Sequence, residues 1–223
     1  GLVIWLHEDE RGRADRASRQ VEQLTYYDGL TGLPNRSLFE TRLAGHLPEA
    51  AVARQRYVVA AFGPDNPRQL REALGEGAVE VLLQRIAARL RMLVPGPEPL
   101  VARIDGDRFA VAFGPVNGTE AAATRAQELR SRLDEAAGDV RSDLVFTSSA
   151  GIALYPDDAR DAEGLVAAAL SAQAAASRDG GRRVEFYSLE QTRRGRDQLS
   201  LVADARRALA GNGLELHYQP VLD

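Results

Sequence analysis

The stretch Val101-Ala102-Arg103-Ile104-Asp105-Gly106-Asp107-Arg108-Phe109-Ala110-Val111-Ala112-Phe113 sets two apolar runs on either side of a short charged loop. Val, Ile and Phe suit strands and Gly106 supplies the backbone freedom of a tight turn, so the segment predicts a β-hairpin. Its loop belongs at the end of a sheet, where two carboxylates and an arginine would stand together. That loop is the first candidate site.

The surrounding segments say what the hairpin is built into. Tyr57 to Phe62 is a compact apolar run closed by Gly63-Pro64 and predicts a buried strand. Pro67 suits the first turn of a helix, and Leu70, Leu74, Ala78, Leu82, Ile86 and Leu90 recur at every fourth residue, which predicts one long helix ending at Pro95-Gly96-Pro97-Glu98-Pro99. After the hairpin come a helix over Glu120 to Leu133, a strand over Val145 to Leu154, an alanine-rich helix over Ala162 to Ala176 and a short strand over Val184 to Tyr187. Upstream, Asp28 to Arg36 is turn chemistry leading into a helix marked by Leu38, Phe39 and Leu43. Helices and strands alternate while the central pair is antiparallel. The expected fold is therefore α+β, an α/β sandwich with a mixed central sheet and helices packed around it.

Both ends look like parts of neighbours, so the chain reads as a segment of something longer. Val3 to Leu6 predicts a strand, and Glu8 to Leu24 reads as a connector helix able to pair with a second copy or as a solvated linker. Leu199, Val202 and Leu209 mark a helix, and Leu214 to Val221 alternates as a new strand does. Gly1 to Leu6 is too short to span a bilayer and lacks the pattern of a signal peptide.

Composition narrows the chemistry. The sequence has no cysteine, which excludes disulfides and thiolate metal sites, and its three histidines, His7, His46 and His217, lie far apart. All 28 basic residues are arginine, so any ammonium role at a phosphate falls to a guanidinium. With 32 acidic residues the net charge is −4, and no whole-molecule field attracts nucleic acid, even though Arg182-Arg183 and Arg193-Arg194-Arg196 cluster locally.

Asp28-Gly29-Leu30-Thr31-Gly32-Leu33-Pro34-Asn35-Arg36 resembles the opening signature of GGDEF domains, the fold of diguanylate cyclases. The hairpin, Ser149-Ala150-Gly151-Ile152-Ala153-Leu154-Tyr155-Pro156 and Asp179-Gly180-Gly181-Arg182-Arg183 resemble that family's later segments, so the likeness covers about Tyr26 to Tyr187. It implies a nucleotide-cyclase-like fold and three parts: the end of a PAS-like sensor with a connector (1–25), a GGDEF domain (26–188), and a linker helix with the first strand of an EAL domain (189–223).

The resemblance also implies a site, and the sequence departs from it. Two GTP molecules are joined through divalent metal held by carboxylates, one at the end of the first core strand. The family position falls on Gly63, and Asp65 stands in only if the loop is rebuilt. In the hairpin, Asp105-Gly106-Asp107-Arg108-Phe109 replaces Gly-Gly-Asp-Glu-Phe. Asp107 keeps the carboxylate associated with catalysis, while Arg108 places a cation where the second metal ligand belongs. Asp105 and Arg108 read either as a surface pair or as a phosphate grip in which Arg108 replaces the metal.

Other positions have changed as well. Asn35 matches the guanine contact or is a helix cap, and its acidic partner falls on Ala44. The phosphate lysine corresponds to Ser177, for which Arg178 or Arg182 compensates if anything does. Arg71 and Glu72 replace an Asn-Asp pair, and the product-inhibition Arg and Asp fall on Gly96 and Pro99.

The expectation is a degenerate, non-catalytic GGDEF domain of a GGDEF–EAL regulator of the FimX or LapD type, with no resident cofactor and no metal site. Residual nucleotide contacts would be Asn35, Gly106, Asp107, Arg108, Arg178 and Arg182. Two alternatives stand beside it: a GTP-binding allosteric module, with Mg²⁺ only if GTP binding survives, and a cyclase with a displaced metal at Asp65 and Asp107. Implied partners are the chain's own EAL and sensor domains, a second copy through the connector, and cyclic-di-GMP through the EAL domain, with no nucleic acid. The implied location is cytoplasmic, either in a soluble protein or on the inner side of a membrane-anchored one.

Overall fold

The structure is a computed structural model and describes residues 25–96, 100–138 and 146–189. The elements are α1 (Arg36–Val52), β1 (Arg56–Pro64), α2 (Pro67–Leu74), α3 (Glu76–Leu93), β2 (Val101–Asp105), β3 (Arg108–Val116), α4 (Thr119–Gly138), β4 (Ser148–Tyr155), α5 (Ala162–Arg178) and β5 (Val184–Phe186). Residues 1–24 and 190–223 lie outside the described set, and with them the PAS-like strand, the connector, the linker helix, the arginines at 193, 194 and 196, and the EAL-like strand. The chain divides into two units, Gly1–Tyr187 and Ser188–Asp223, and all ten elements belong to the first.

The five strands form one sheet in the order β2-β3-β1-β4-β5. β1 runs antiparallel to both β3 and β4, β2 and β3 make the expected hairpin, and β4 pairs with β5 in parallel, so the sheet is mixed. β1 is buried on both faces and divides its side chains by the period of two. Val58, Ala60 and Phe62 join α3 and α4 on one side, while Val59 and Ala61 join α1 and α5 on the other. Helices covering both faces explain why β1 and β4 read as continuous apolar runs.

The long helix expected from Pro67 to Leu90 is two helices. Gly75 takes φ +76° and ψ 160°, outside the helical region, and its N–H closes α2 on the Arg71 carbonyl at 2.9 Å. The every-fourth spacing runs through this break because Leu74 and Ala78 keep the count. The inward stripe of α3 is Val79, Leu82, Leu83, Ile86, Ala87 and Leu90, a helical spacing of three and four. β4 begins at Ser148, with Phe146 and Thr147 outside the strand, and Val145 is not among the described residues. Helix α4 extends to Gly138, past the expected Leu133.

Register fixes what meets at the hairpin end of the sheet. Phe62 pairs with Phe109 and Gly63 with Ser149, so the end of β1 lies beside the start of β3 and the start of β4. The hairpin turn, the β1–α2 loop and the last turns of α5 therefore converge. Among the described residues, no helix is long and apolar enough to cross a membrane.

Candidate functional site

A cleft of about 650 Å³ opens where these elements converge, lined by the β1–α2 loop, Asp105 to Arg108 of the hairpin, and Gln173, Ser177 and Arg178 of α5. Gly106 makes the turn with φ +43°. The sequence-derived hairpin residues and Arg178 are thus brought together.

Asp107 is 8% exposed and carries a two-pronged ion pair: Arg71 of α2 donates from Nη1 to Oδ2 at 2.8 Å and from Nη2 to Oδ1 at 2.6 Å. This bond to Asp107 is the main cause that raises the Arg71 guanidinium above its ordinary pKa, with burial opposing it. The one carboxylate retained from the family pattern is consumed by an internal partner. Both oxygens of a bidentate pair are committed to planar N–H donors.

Arg108 donates to Asp105 from Nε at 2.6 Å and from Nη2 at 2.5 Å, so the two departures in the loop neutralise each other as a surface pair. The Arg108 stem also crosses the end of β1. A Cβ built on Gly63 would lie 3.2 Å from Arg108 Cγ and 3.0 Å from Gln173 Nε2. The place of the first metal carboxylate is thus taken by an amide and an aliphatic stem.

Asp65 does not replace that carboxylate. Its Oδ1 accepts from Ser149 Oγ at 2.5 Å and its Oδ2 from the Arg182 backbone N–H at 3.0 Å, while its carbonyl accepts from Ser177 Oγ at 3.0 Å. These bonds tie the β1–α2 loop to β4 and to the end of α5. Ser177, where the family has a lysine, serves this loop. Among the described residues no group of three or more His, Cys, Asp or Glu side chains is arranged to hold a metal ion. The residues present therefore do not fit a divalent metal.

Asn35 stands apart from the cleft lining and acts as a cap. Its Oδ1 accepts from the Leu38 N–H at 3.1 Å, and its Nδ2 donates to the Thr25 carbonyl at 2.8 Å. Ala44 lies exposed on α1. Arg182 reaches the site through its backbone N–H to Asp65, and its side chain is not part of the cleft lining. Gly96 is exposed with φ +145°, and Pro99 lies outside the described residues.

Two residues of the site are not marked as such by the sequence. Arg71 stands out there only as a changed polar position, because its partner is 36 residues away. Gln173 is hidden in an alanine-rich helix; the available signal is a long polar side chain four residues after Ala169 on the buried stripe of α5.

A hydrogen-bonded route joins the hairpin to the opening loop. Asp28 Oδ1 accepts from the Thr31 N–H at 2.8 Å and from Thr31 Oγ1 at 2.6 Å, and Arg103 Nη1 donates to both Asp28 oxygens at 3.0 and 3.1 Å. Arg103 Nε then donates to the Gly106 carbonyl at 2.8 Å. Burial pushes the Asp28 carboxyl up, but the Thr31 and Arg103 donors outweigh it and hold the group below its ordinary value.

Five mixed strands flanked by two helical layers, with a charged hairpin at one end, define a nucleotide-cyclase-like α+β domain. Residues 25–183 match the family described as the diguanylate cyclase GGDEF domain, and the chain belongs to that family. The GGDEF domain of TpbB from Pseudomonas aeruginosa superposes with a TM-score of 0.63 at 29% identity, covering 75% of this chain and 98% of that one. The chain is 30% identical over 208 residues to the cyclic di-GMP phosphodiesterase NbdA of P. aeruginosa, covering 93% of this chain and 26% of NbdA. It is 32% identical over 205 residues to the bifunctional diguanylate cyclase/cyclic di-GMP phosphodiesterase MucR of the same organism, covering 92% of this chain and 30% of MucR. The chain thus spans less than a third of the length of these two relatives.

Proposed function

We propose that this GGDEF domain is non-catalytic and relays signals from an upstream sensor to a C-terminal EAL domain in a cyclic-di-GMP pathway, as a regulator of the FimX or LapD type does. The observation that carries the reading is the Arg71–Asp107 ion pair, which occupies the one retained hairpin carboxylate. Arg108 and Gln173 at the Gly63 position support it. A cyclase must hold metal beside a triphosphate and assist a hydroxyl in attacking phosphorus, and the described residues of the cleft leave no free carboxylate pair for either task.

Relay needs a mechanical connection, and the Asp28–Arg103–Gly106 route supplies one from the start of the domain to its hairpin. Asn35 extends it toward the incoming chain through the Thr25 and Tyr26 carbonyls. The relatives NbdA and MucR, much longer than this chain and named for cyclic-di-GMP turnover, support placing the domain in a longer protein of that pathway. Incubation of the full-length protein with GTP and Mg²⁺ or Mn²⁺ tests the reading: no cyclic-di-GMP forms.

A second reading, GTP binding without turnover that activates an EAL phosphodiesterase, is favoured by the persistence of the cleft of about 650 Å³ at the hairpin. GTP-dependent phosphodiesterase activity in the full-length protein, with no cyclic-di-GMP made, distinguishes it.

A further inference from the structure

We propose that Asp65 is a latch between the hairpin cleft and β5, the last strand of its unit, and that displacing the β1–α2 loop releases the turn through which the chain enters β5. The relay reading gives this latch its use, whereas the latch itself is testable without that reading. A relay that enters at Asp28 and reaches the hairpin needs a way out, and Asp65 supplies it.

Four hydrogen bonds meet at this one residue. Its carboxylate accepts from Ser149 Oγ at 2.5 Å and from the Arg182 N–H at 3.0 Å, its own N–H donates to the Thr147 carbonyl at 3.0 Å, and its carbonyl accepts from Ser177 Oγ at 3.0 Å. Ser149 precedes Ala150, whose N–H donates to the Arg183 carbonyl at 2.9 Å and opens the parallel pairing of β4 with β5. The two carboxylate oxygens therefore hold the starts of both strands. Only the three residues of β5 pair with β4, so a clamp at one end matters to the whole strand.

The turn held by this carboxylate is strained. Gly180, Gly181 and Arg182 take φ of +109°, +70° and +56° in succession, and Arg182 is one of two non-glycine residues with positive φ among the described residues. A side chain makes this region costly, so such a conformation persists where its surroundings impose it. The Asp65 carboxylate supplies that constraint through the Arg182 N–H. It also packs so close that a Cβ on Gly181 would lie 2.7 Å from Asp65 Cγ. Loop and turn are thus in direct contact.

The other side of the latch faces the cleft. Pro64, Asp65, Asn66 and Pro67 line it together with Ser177 and Arg178, while Arg182 and β5 do not. A change of shape at the hairpin end therefore acts on the β1–α2 loop first and reaches β5 through Asp65. With the bond to its N–H broken, Arg182 is free to leave the left-handed region, and the short pairing of β5 with β4 loosens.

Hydrogen–deuterium exchange on the full-length protein, read by mass spectrometry on peptides spanning 183–187 and 101–113, tests the proposal. Asp65→Ala should speed exchange in 183–187 about tenfold and leave the hairpin peptide unchanged. Ser177→Ala removes the bond to the Asp65 carbonyl from the cleft side; it should speed exchange in 183–187 severalfold in the unsubstituted background and add nothing in Asp65→Ala. Arg182→Gly relieves the left-handed cost and should return part of the protection lost in Asp65→Ala. Unchanged exchange of 183–187 in Asp65→Ala, equally faster exchange in both peptides, additive effects of Asp65→Ala and Ser177→Ala, or no rescue by Arg182→Gly overturns the latch. Cyclic-di-GMP assayed in the same samples with GTP and Mn²⁺ judges the non-catalytic reading separately, since its formation overturns that reading and leaves the latch standing.

Discussion

Arg71 and Asp107, 36 residues apart in the chain, face each other as a bidentate ion pair with N···O distances of 2.8 and 2.6 Å, and Asp107 lies almost wholly out of solvent. The pair braces the turn between β2 and β3 against α2. Glu76, at the start of α3, stands 3.4 Å from the same guanidinium and extends the brace across the break at Gly75.

Removing Arg71 leaves a buried carboxylate without its counter-charge. Because the arginine is 38% exposed, the cost is discounted for solvent screening to about 1–3 kcal/mol. Arg71→Ala should lower the thermal midpoint by several degrees, while Asp107→Asn in that background restores part of the loss. A calorimetric double-mutant cycle checks the coupling.

The Asp28–Arg103 contact has a predictable pH signature. The Asp28 carboxyl is held below its ordinary value, so its contribution is fully present above about pH 4 and is lost as pH falls through the folded-state value. Asp134 and Asp158 are pushed up, chiefly by burial, so each weakens the fold at neutral pH and that cost fades on acidification. Asp28→Asn should therefore destabilise by about 1–2 kcal/mol at neutral pH, with the difference from the unsubstituted protein shrinking below about pH 4. Urea titrations at neutral and acidic pH measure it.

Gly151 on β4 lies directly against α5. A Cβ there would stand 2.0 Å from the Gln173 backbone nitrogen and 2.2 Å from the Ala169 carbonyl oxygen. Backbone cannot give way as a flexible side chain can, so Gly151→Ala should cost more than about 3 kcal/mol. Loss of soluble protein or of cooperative unfolding is the expected observation.

Reversing a single charge should not rebuild a metal site. Arg108→Glu supplies a carboxylate at the second ligand position, but Gly63 still contributes none and Asp107 remains paired with Arg71. Mn²⁺ titration followed by electron paramagnetic resonance should show no specific binding in this variant. The combined change Gly63→Asp, Arg71→Asn, Arg108→Glu and Gln173→Ala removes each obstacle and is the comparison in which binding should appear.

The sheet is readable from the chain because the cues are local: an apolar period, a glycine between carboxylates, a proline opening α2. The departures at Gly63 and Arg108 are legible for the same reason, as residues at fixed offsets from a motif. Gly75 escapes because leucines on both sides keep a helical count while its backbone leaves the helix. The Arg71–Asp107 pair escapes because only the fold brings α2 to the hairpin, and Gln173 because its surroundings come from β1 and β3. Asn35 admits two readings in the sequence, and its cap geometry, with both ends of the amide engaged, favours the structural one.

The central claim is that the hairpin no longer catalyses phosphoryl transfer, and a turnover assay at saturating GTP addresses it most directly. Full-length protein with labelled GTP in large excess, Mn²⁺ present, should leave the label in GTP, and Asp107→Asn should look the same. Label appearing in cyclic-di-GMP in proportion to protein, and disappearing in Asp107→Asn, would contradict it.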